Sequence, residues 1–105
     1  MTLREKQSKF AGMVALLILH AGQIGYDVTL GDAWRNTRYP HPGSHERSLH
    51  HKRLAIDLNL FKDGKYLRKT MDYLPLGEYW ESIGGSWGGR FSDGNHFSLE
   101  HGGMK

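Results

Sequence analysis

Two short segments of the sequence contain residues whose types and spacing suit metal chemistry. One segment carries His50 and, seven positions later, Asp57; the other carries Asp93 and, three positions later, His96. Neutral imidazole and carboxylate are both good zinc ligands, and two histidines with one aspartate leave the fourth position of a tetrahedral zinc open for water. A second carboxylate beside such a site can accept a proton from that water. Because any chain with seven histidines yields some triads, the spacing alone is weak evidence for a metal.

Asp57 lies in the middle of the strongest β-strand pattern in the chain. Apolar residues alternate with others from Leu54 to Leu60, which predicts a strand with one apolar face. That face would carry Leu54, Ile56, Leu58 and Leu60, and the opposite face Ala55, Asp57 and Asn59. A buried carboxylate is costly unless something cationic neutralises it. A metal would do this, and so would an arginine, in which case His50 would be an ordinary loop residue.

The remaining hydrophobic patterns predict the elements that must position these residues. Apolar residues at helical spacing over 3–22, after Thr2 as N-cap, predict an amphipathic helix. Asp63-Gly64 is a strong hairpin signal, so a second strand should run back through Tyr66. Further elements are a strand over Tyr26–Trp34, a helix from Leu74 to the Gly84-Gly85 pair with Pro75 in its first turn, and a glycine-rich loop leading into a strand at His96–Leu99. Together they predict an α+β fold in which a small antiparallel sheet is covered by two or three helices.

Length and composition limit the classes of protein. At 105 residues the chain is expected to form one domain, residues 1–105, and its apolar fraction of 38% is enough for a compact core. Cysteine is absent, so a metal would need His, Asp or Glu as ligands. The formal net charge of +3 favours an anionic partner, which could be nucleic acid, an acidic membrane or a cell-wall polymer. The N-terminus does not match a secretory signal, and the apolar run Met13–Leu19 is too short to span a bilayer.

Residues 36–47 form a polar stretch that contains two prolines. This composition predicts a long loop over the site. His41 and His45 lie in it, and each is expected to be solvated rather than to bind a metal.

The two segments that carry His50 with Asp57 and Asp93 with His96 together resemble a known family. Ser48-x-His50, six further residues and Asp57, combined with Asp93-x-x-His96-Phe97, are similar to the motifs of the M15 zinc peptidases. This group includes bacterial D-Ala-D-Ala carboxypeptidases and dipeptidases, and the L-alanyl-D-glutamate endopeptidases used as phage endolysins.

The resemblance extends over roughly residues 25–100. It includes Trp34-Arg35-Asn36-Thr37, where the family has an aromatic-Arg-Ser/Thr element. One departure is Arg53, which stands where the family usually has glycine. The sequence therefore leaves open the backbone conformation of the turn before the strand.

The resemblance implies a role for each matching residue. His50, Asp57 and His96 would bind Zn²⁺ at one edge of the sheet, and Asp93 would be the general base that activates the bound water. The zinc site and its base would thus use four residues from the two segments.

The resemblance also implies substrate contacts. Arg35 would orient the scissile carbonyl or stabilise the developing oxyanion, a role that suits its permanent charge. Arg38 is a rival for this role, and Ser48 would assist substrate binding.

The implied function is hydrolysis of a peptide bond in the peptidoglycan stem peptide. An aspartate as base and a small chain without a signal favour an L-alanyl-D-glutamate endopeptidase acting as a phage endolysin. Such an enzyme would be made in the host cytoplasm and reach the cell wall after release. It is expected to be a monomer that binds no nucleic acid and does not insert stably into a membrane.

Three alternatives stay open at the level of the sequence. The first is a D-Ala-D-Ala carboxypeptidase or dipeptidase of the same family. The second is a basic metal-dependent nuclease that holds phosphate with the run His50-His51-Lys52-Arg53. The third is a non-catalytic domain that binds the cell wall or nucleic acid and uses its histidines only structurally.

Overall fold

The computed structural model describes residues 1–34 and 49–105 of the chain. In these residues, two α-helices and five short strands are joined by turns and by three 3-10 segments. The helices are α1 (Leu3–Gln23) and α2 (Leu74–Ser82), and the strands are β1 (Asp27–Leu30), β2 (Ala55–Lys62), β3 (Lys65–Tyr66), β4 (Ser86–Trp87) and β5 (His96–Ser98). The 3-10 segments are Leu49–Lys52, Thr70–Tyr73 and Gly88–Phe91.

β2 is the central strand of the sheet. It pairs with β1, with the short β3 and with β5, and β5 pairs in turn with β4. The main path of the sheet is therefore β1-β2-β5-β4, and each of these pairings is antiparallel. A small antiparallel sheet combined with two α-helices confirms the predicted α+β fold.

α1 begins at the cap that the sequence predicts. The Thr2 side chain accepts a hydrogen bond from the Glu5 backbone N–H, and the Glu5 carboxylate accepts one from the Thr2 N–H. This reciprocal capping box satisfies donors that a helix N-terminus otherwise leaves unpaired. The buried face repeats at helical spacing and consists of Phe10, Met13, Leu17 and Ala21. Among the described helices, none has both the length and the apolar character needed to cross a membrane.

The two helices pack on one face of the sheet and form the core with it. Phe10 of α1 and Phe97 of β5 each meet the Trp80 ring of α2 edge-on, with ring centroids 5.8 Å and 6.0 Å apart. Trp87 of β4 lies against α2 at Gly77, where an added Cβ would come within 2.1 Å of the indole. Since side chains alternate along a strand, the neighbours of Phe97 in sequence point to the other face of the sheet.

The β2–β3 hairpin turns at the two residues that the sequence indicates. Asp63 and Gly64 have φ values of 52° and 77°, and Lys62 pairs with Lys65 across them. Positive φ at both central residues is the backbone of a type I′ turn, which matches strand twist and accepts Asp followed by Gly. The hairpin is thus confirmed.

β1 is shorter than the strand predicted over Tyr26–Trp34. Its regular pairing with β2 ends at Leu30. Beyond that point the Gly31 N–H donates to the Asp57 carbonyl at 2.7 Å, and the Asp57 N–H donates to the Asp32 carbonyl at 2.8 Å. The chain therefore still follows β2, but outside the regular ladder.

The sequence predicts only a loop before His96, but the structure contains a short strand there, β4. Ser86 and Trp87 pair with Ser98 and Phe97 of β5. A strand of two residues is too short to show an alternating pattern, so only its partner strand reveals it.

Candidate metal centre

His50 is positioned by the 3-10 segment Leu49–Lys52, directly before β2. The Leu54 N–H donates to the Leu49 carbonyl at 2.9 Å, and Arg53 in this turn has a φ of 57°. That value lies in the left-handed region that glycine adopts most easily. Arg53 therefore adopts the backbone conformation that glycine favours at this turn. The His50 side chain, three residues earlier, is only 2% exposed.

Asp57 and His96 are cross-strand neighbours. The register of β2 and β5 places their Cα atoms opposite each other, next to the pair of Ile56 and Phe97. Side chains alternate along both strands, so Asp57 and His96 share the sheet face opposite to Phe97 and the helices. The register thus brings a residue of the first segment, Asp57, next to a residue of the second, His96.

The three candidate ligands form a compact group. His50 Nε2 lies 3.3 Å from Asp57 Oδ1, and His96 Nδ1 lies 3.5 Å from the same oxygen. The two imidazole rings meet edge-on with centroids 5.2 Å apart. One ligand atom from each residue lies within 4.8 Å of the other two. The structure therefore brings together all three residues that the sequence proposes as metal ligands.

The geometry of this group fits a zinc ion. Ligand atoms about 2.1 Å from a tetrahedral zinc lie about 3.4 Å from one another. The distances from Asp57 Oδ1 to the two histidine nitrogens are close to that value. Two imidazoles and a carboxylate also match catalytic zinc sites, which use three protein ligands. The role of His50, Asp57 and His96 as ligands stays a prediction that metal analysis can test.

Electrostatics in the group keep Asp57 ionised. Burial raises the pKa of this carboxyl, but hydrogen bonds and positive charge from His50 and His96 outweigh the effect of burial. The pKa of Asp57 is thereby held at about 2, below its ordinary value of 3.8. The ionised carboxylate is the form that binds a metal cation.

The glycine-rich loop holds Asp93 next to the candidate ligands. The Asp93 N–H donates to the Gly88 carbonyl at 2.9 Å, and the His96 N–H donates to the Asp93 carbonyl at 3.1 Å. A Cβ on Gly88 would lie 2.2 Å from the Asp93 carbonyl oxygen, so this packing requires glycine. Asp93 Oδ2 lies 3.9 Å from His96 Nδ1, and the Asp93 side chain is 52% exposed. Its carboxylate is therefore beside the group and accessible to water.

A polar pocket of about 190 Å³ opens beside Asp93. Asp93 and Asn95 contribute to it from the glycine-rich loop, and Tyr66, Arg68 and Thr70 from the segment around the end of β3. Apart from Asp93, none of these residues belongs to a motif from which the sequence predicts a site. Their spacing carries no signal, because only the fold brings the two segments together.

Several predicted site residues lie outside the part of the chain that the structure describes. They are Arg35, its rival Arg38 and the substrate-binding candidate Ser48; the loop histidines His41 and His45, which are expected to be solvated, lie there too. Their roles stay predictions, as does the long loop expected over 36–47.

Comparison with family models places the chain in a known family. No curated protein matches the chain. A family model described as D-alanyl-D-alanine carboxypeptidase, of the M15 peptidases, matches residues 42–99. That range covers more than half of the chain and includes His50, Asp57, Asp93 and His96. The protein therefore belongs to the M15 family of peptidases.

Proposed function

We propose that this protein is a zinc-dependent endopeptidase that cuts the L-alanyl-D-glutamate bond of the peptidoglycan stem peptide. The observation that carries the proposal is the group of His50, Asp57 and His96 with the exposed Asp93 carboxylate beside it. The family match supports a peptidase acting on peptidoglycan peptides. An aspartate at the position of the base favours the endopeptidases within the family that the sequence resembles.

Each residue of the group has a distinct task in this proposal. His50, Asp57 and His96 would hold zinc, which when bound acts as a Lewis acid and lowers the pKa of water to about 7. Asp93 would accept a proton from the attacking water and deliver it to the leaving amine. Its exposure and its position beside the ligands suit both transfers.

Arg35 completes the proposed site as the residue that orients the scissile carbonyl. A guanidinium stays charged at any working pH, so it can stabilise negative charge that develops on the carbonyl oxygen. Ser48 would help to bind the substrate. Both assignments come from the family resemblance, and Arg38 is the rival to be compared with Arg35.

We also propose the biological setting of a phage endolysin. The enzyme, acting as one domain, would be made in the host cytoplasm and reach the cell wall after a separate protein permeabilises the membrane. Its net charge of +3 suits an anionic wall polymer.

The decisive experiment is digestion of purified peptidoglycan, with and without a chelator, followed by mass analysis of the fragments. We expect fragments cut between L-alanine and D-glutamate, and no fragments when the chelator is present. Release of terminal D-alanine would replace the endopeptidase with a carboxypeptidase of the same family. A metal-loaded protein that leaves peptidoglycan intact would instead support a non-catalytic binding domain.

The nuclease alternative has less structural support. His50 is buried and its Nε2 faces Asp57, whereas Lys52 and Arg53 are exposed. The run 50–53 is therefore not one cationic surface that could track a phosphate backbone. Plasmid nicking with added divalent metal provides the check, and nicking by a protein that does not cut peptidoglycan would favour the nuclease.

A further inference from the structure

The polar pocket beside Asp93 contains a cation that the proposed chemistry has not used. Arg68 lines this pocket together with Tyr66, Thr70 and Asn95. Pockets for drug-sized ligands typically occupy roughly 300–1,000 Å³. A pocket of about 190 Å³ is therefore suited to one small residue of a substrate rather than to a long segment.

Arg68 is available to bind an anion in this pocket. Its side chain is exposed and forms no ion pair with a carboxylate in residues 1–34 or 49–105. The guanidinium carbon lies 5.4 Å from the centre of the Tyr66 ring, a cation–π contact that orients the group. A planar guanidinium binds carboxylates through two parallel hydrogen bonds, so an oriented arginine favours a carboxylate as ligand.

The two walls of the pocket are fixed against each other by close backbone packing. A Cβ on Gly94 would lie 2.6 Å from the Thr70 Cα and 2.9 Å from the Thr70 carbonyl oxygen. The Asn95 amide nitrogen also lies 3.4 Å from Asn59 Oδ1 on β2, which ties the loop to the central strand. Arg68 is therefore held on the same side of the molecule as Asp93, and across one small pocket from it.

The position of Asp93 decides which part of a substrate this pocket would receive. In the proposed function, Asp93 delivers a proton to the leaving amine, so a pocket that Asp93 lines lies on the leaving side of the scissile bond. In an L-alanyl-D-glutamate bond, the leaving residue is D-glutamate, which is linked onward through its side chain and keeps its α-carboxylate. In a terminal D-Ala-D-Ala bond, the leaving residue carries the C-terminal carboxylate. Either substrate offers a carboxylate on the carbon next to the leaving nitrogen.

We propose that Arg68 binds the α-carboxylate of the residue that carries the leaving amine, and thereby sets specificity for a free carboxylate at this position. This inference rests on the proposed peptidase function and adds a substrate-binding residue to it. Thr70 and Asn95 supply further polar groups around the same carboxylate.

The test compares two pairs of synthetic stem peptides. One pair carries D-glutamate with either a free α-carboxylate or an α-carboxamide; the other ends in D-Ala-D-Ala with either a free or an amidated C-terminus. Hydrogen bonds to charged groups contribute enough that amidation should lower kcat/KM on the order of 10- to 100-fold in the wild type, chiefly through KM. The pair that is cleaved identifies which carboxylate is bound.

Three variants distinguish a specific role of the Arg68 guanidinium from a general effect of positive charge. Arg68→Gln should reduce cleavage of the carboxylate peptide by a similar factor, leave the carboxamide peptide nearly unchanged and so abolish the preference. Arg68→Lys keeps the charge but loses the planar fork, and should restore only part of the preference. Lys65→Gln, which removes one exposed cation from the same hairpin outside the pocket, should keep the wild-type preference.

The outcomes distinguish failure of this inference from failure of the proposed function. Wild-type protein that cleaves either pair without preferring the carboxylate overturns the role of Arg68 alone. The same holds if Arg68→Gln remains folded and keeps the full preference. Wild-type protein that cleaves no stem peptide overturns the proposed function, and the inference with it.

Discussion

The two faces of β2 are stabilised in different ways. On the side of the helices, Leu58 and Leu60 are fully buried, and removal of their apolar area from water accounts for their place there. On the opposite side, Asp57 and Asn59 are only half-buried and interact with polar side chains of other segments. One strand therefore supports the core and the candidate site on opposite faces, so substitutions should separate stability from activity.

Removal of a predicted ligand should have the largest effect on the site face. His50→Ala leaves two of the three ligands, so zinc content should fall from about one per chain to a small fraction, with activity at the level of chelated enzyme. Elemental analysis and peptidoglycan digestion measure both. His20→Ala is the matched control, because His20 stacks on Tyr79 of α2, with ring centroids 4.0 Å apart, and is not part of the group. Unchanged zinc in His50→Ala would move the site to other histidines.

Asp93→Asn should separate the chemistry of the site from its assembly. The three ligands remain and the side chain keeps its shape, so zinc content and melting temperature should not change. Loss of the proton acceptor should reduce kcat by roughly 10²–10⁴. Asp63→Asn removes a carboxylate from the hairpin turn, where Asn is also accepted, and should leave kcat unchanged.

A joint loss of zinc and stability in Asp93→Asn would contradict the assignment of Asp93 as base. It would identify Asp93 as a fourth ligand, and the site as closed and structural.

Leu58→Ala should show the opposite result on the helix face of the same strand. Truncation of a fully buried leucine leaves a cavity and should lower the free energy of unfolding by about 2–5 kcal/mol. Chemical denaturation gives this value, and the fraction that stays folded should keep its zinc. Leu19→Ala, at a side chain that is 59% exposed, should change stability little. If Leu58→Ala lost zinc while staying folded, the two faces would not be independent.

The smallest effect concerns the stabilisation that Asp57 provides, which is lost in acid. Its pKa is about 2 in the folded protein and 3.8 ordinarily, so the folded state favours the ionised form. The stabilisation is therefore complete above the ordinary pKa and is lost as the pH falls through about 2. In chelated protein, the difference in melting temperature between wild type and Asp57→Asn should shrink as the pH falls from about 4 towards 2. A difference that stays constant over this range would contradict the pairing of Asp57 with His50 and His96.

Local patterns in the sequence were enough to predict most of the elements. The Thr2–Glu5 cap, the alternation along β2 and the Asp63-Gly64 turn each depend on residues a few positions apart. Helix caps, strand faces and tight turns arise from backbone preferences and side-chain periodicity over such short distances. The candidate ligands could likewise be named, because the motif lies in two short segments.

The meeting of those ligands depends on the register between β2 and β5. Asp57 faces His96 because their Cα atoms are partners in the ladder. A slip of one residue would turn His96 towards the helices and remove it from the group. The sequence alone determined which residues were candidates, and the pairing of distant strands decided that they share one face.

The surroundings of the site were decided by tertiary structure alone. Arg53 adopts a backbone conformation typical of glycine, and Arg68 shares a pocket with Asp93 although the two lie 25 positions apart in the chain. Residue type and spacing carry no trace of the shared pocket, because it results from the packing of separate segments. The close approach of Gly94 to Thr70, which fixes the pocket, exists only once β2, β3 and the glycine-rich loop have folded against one another.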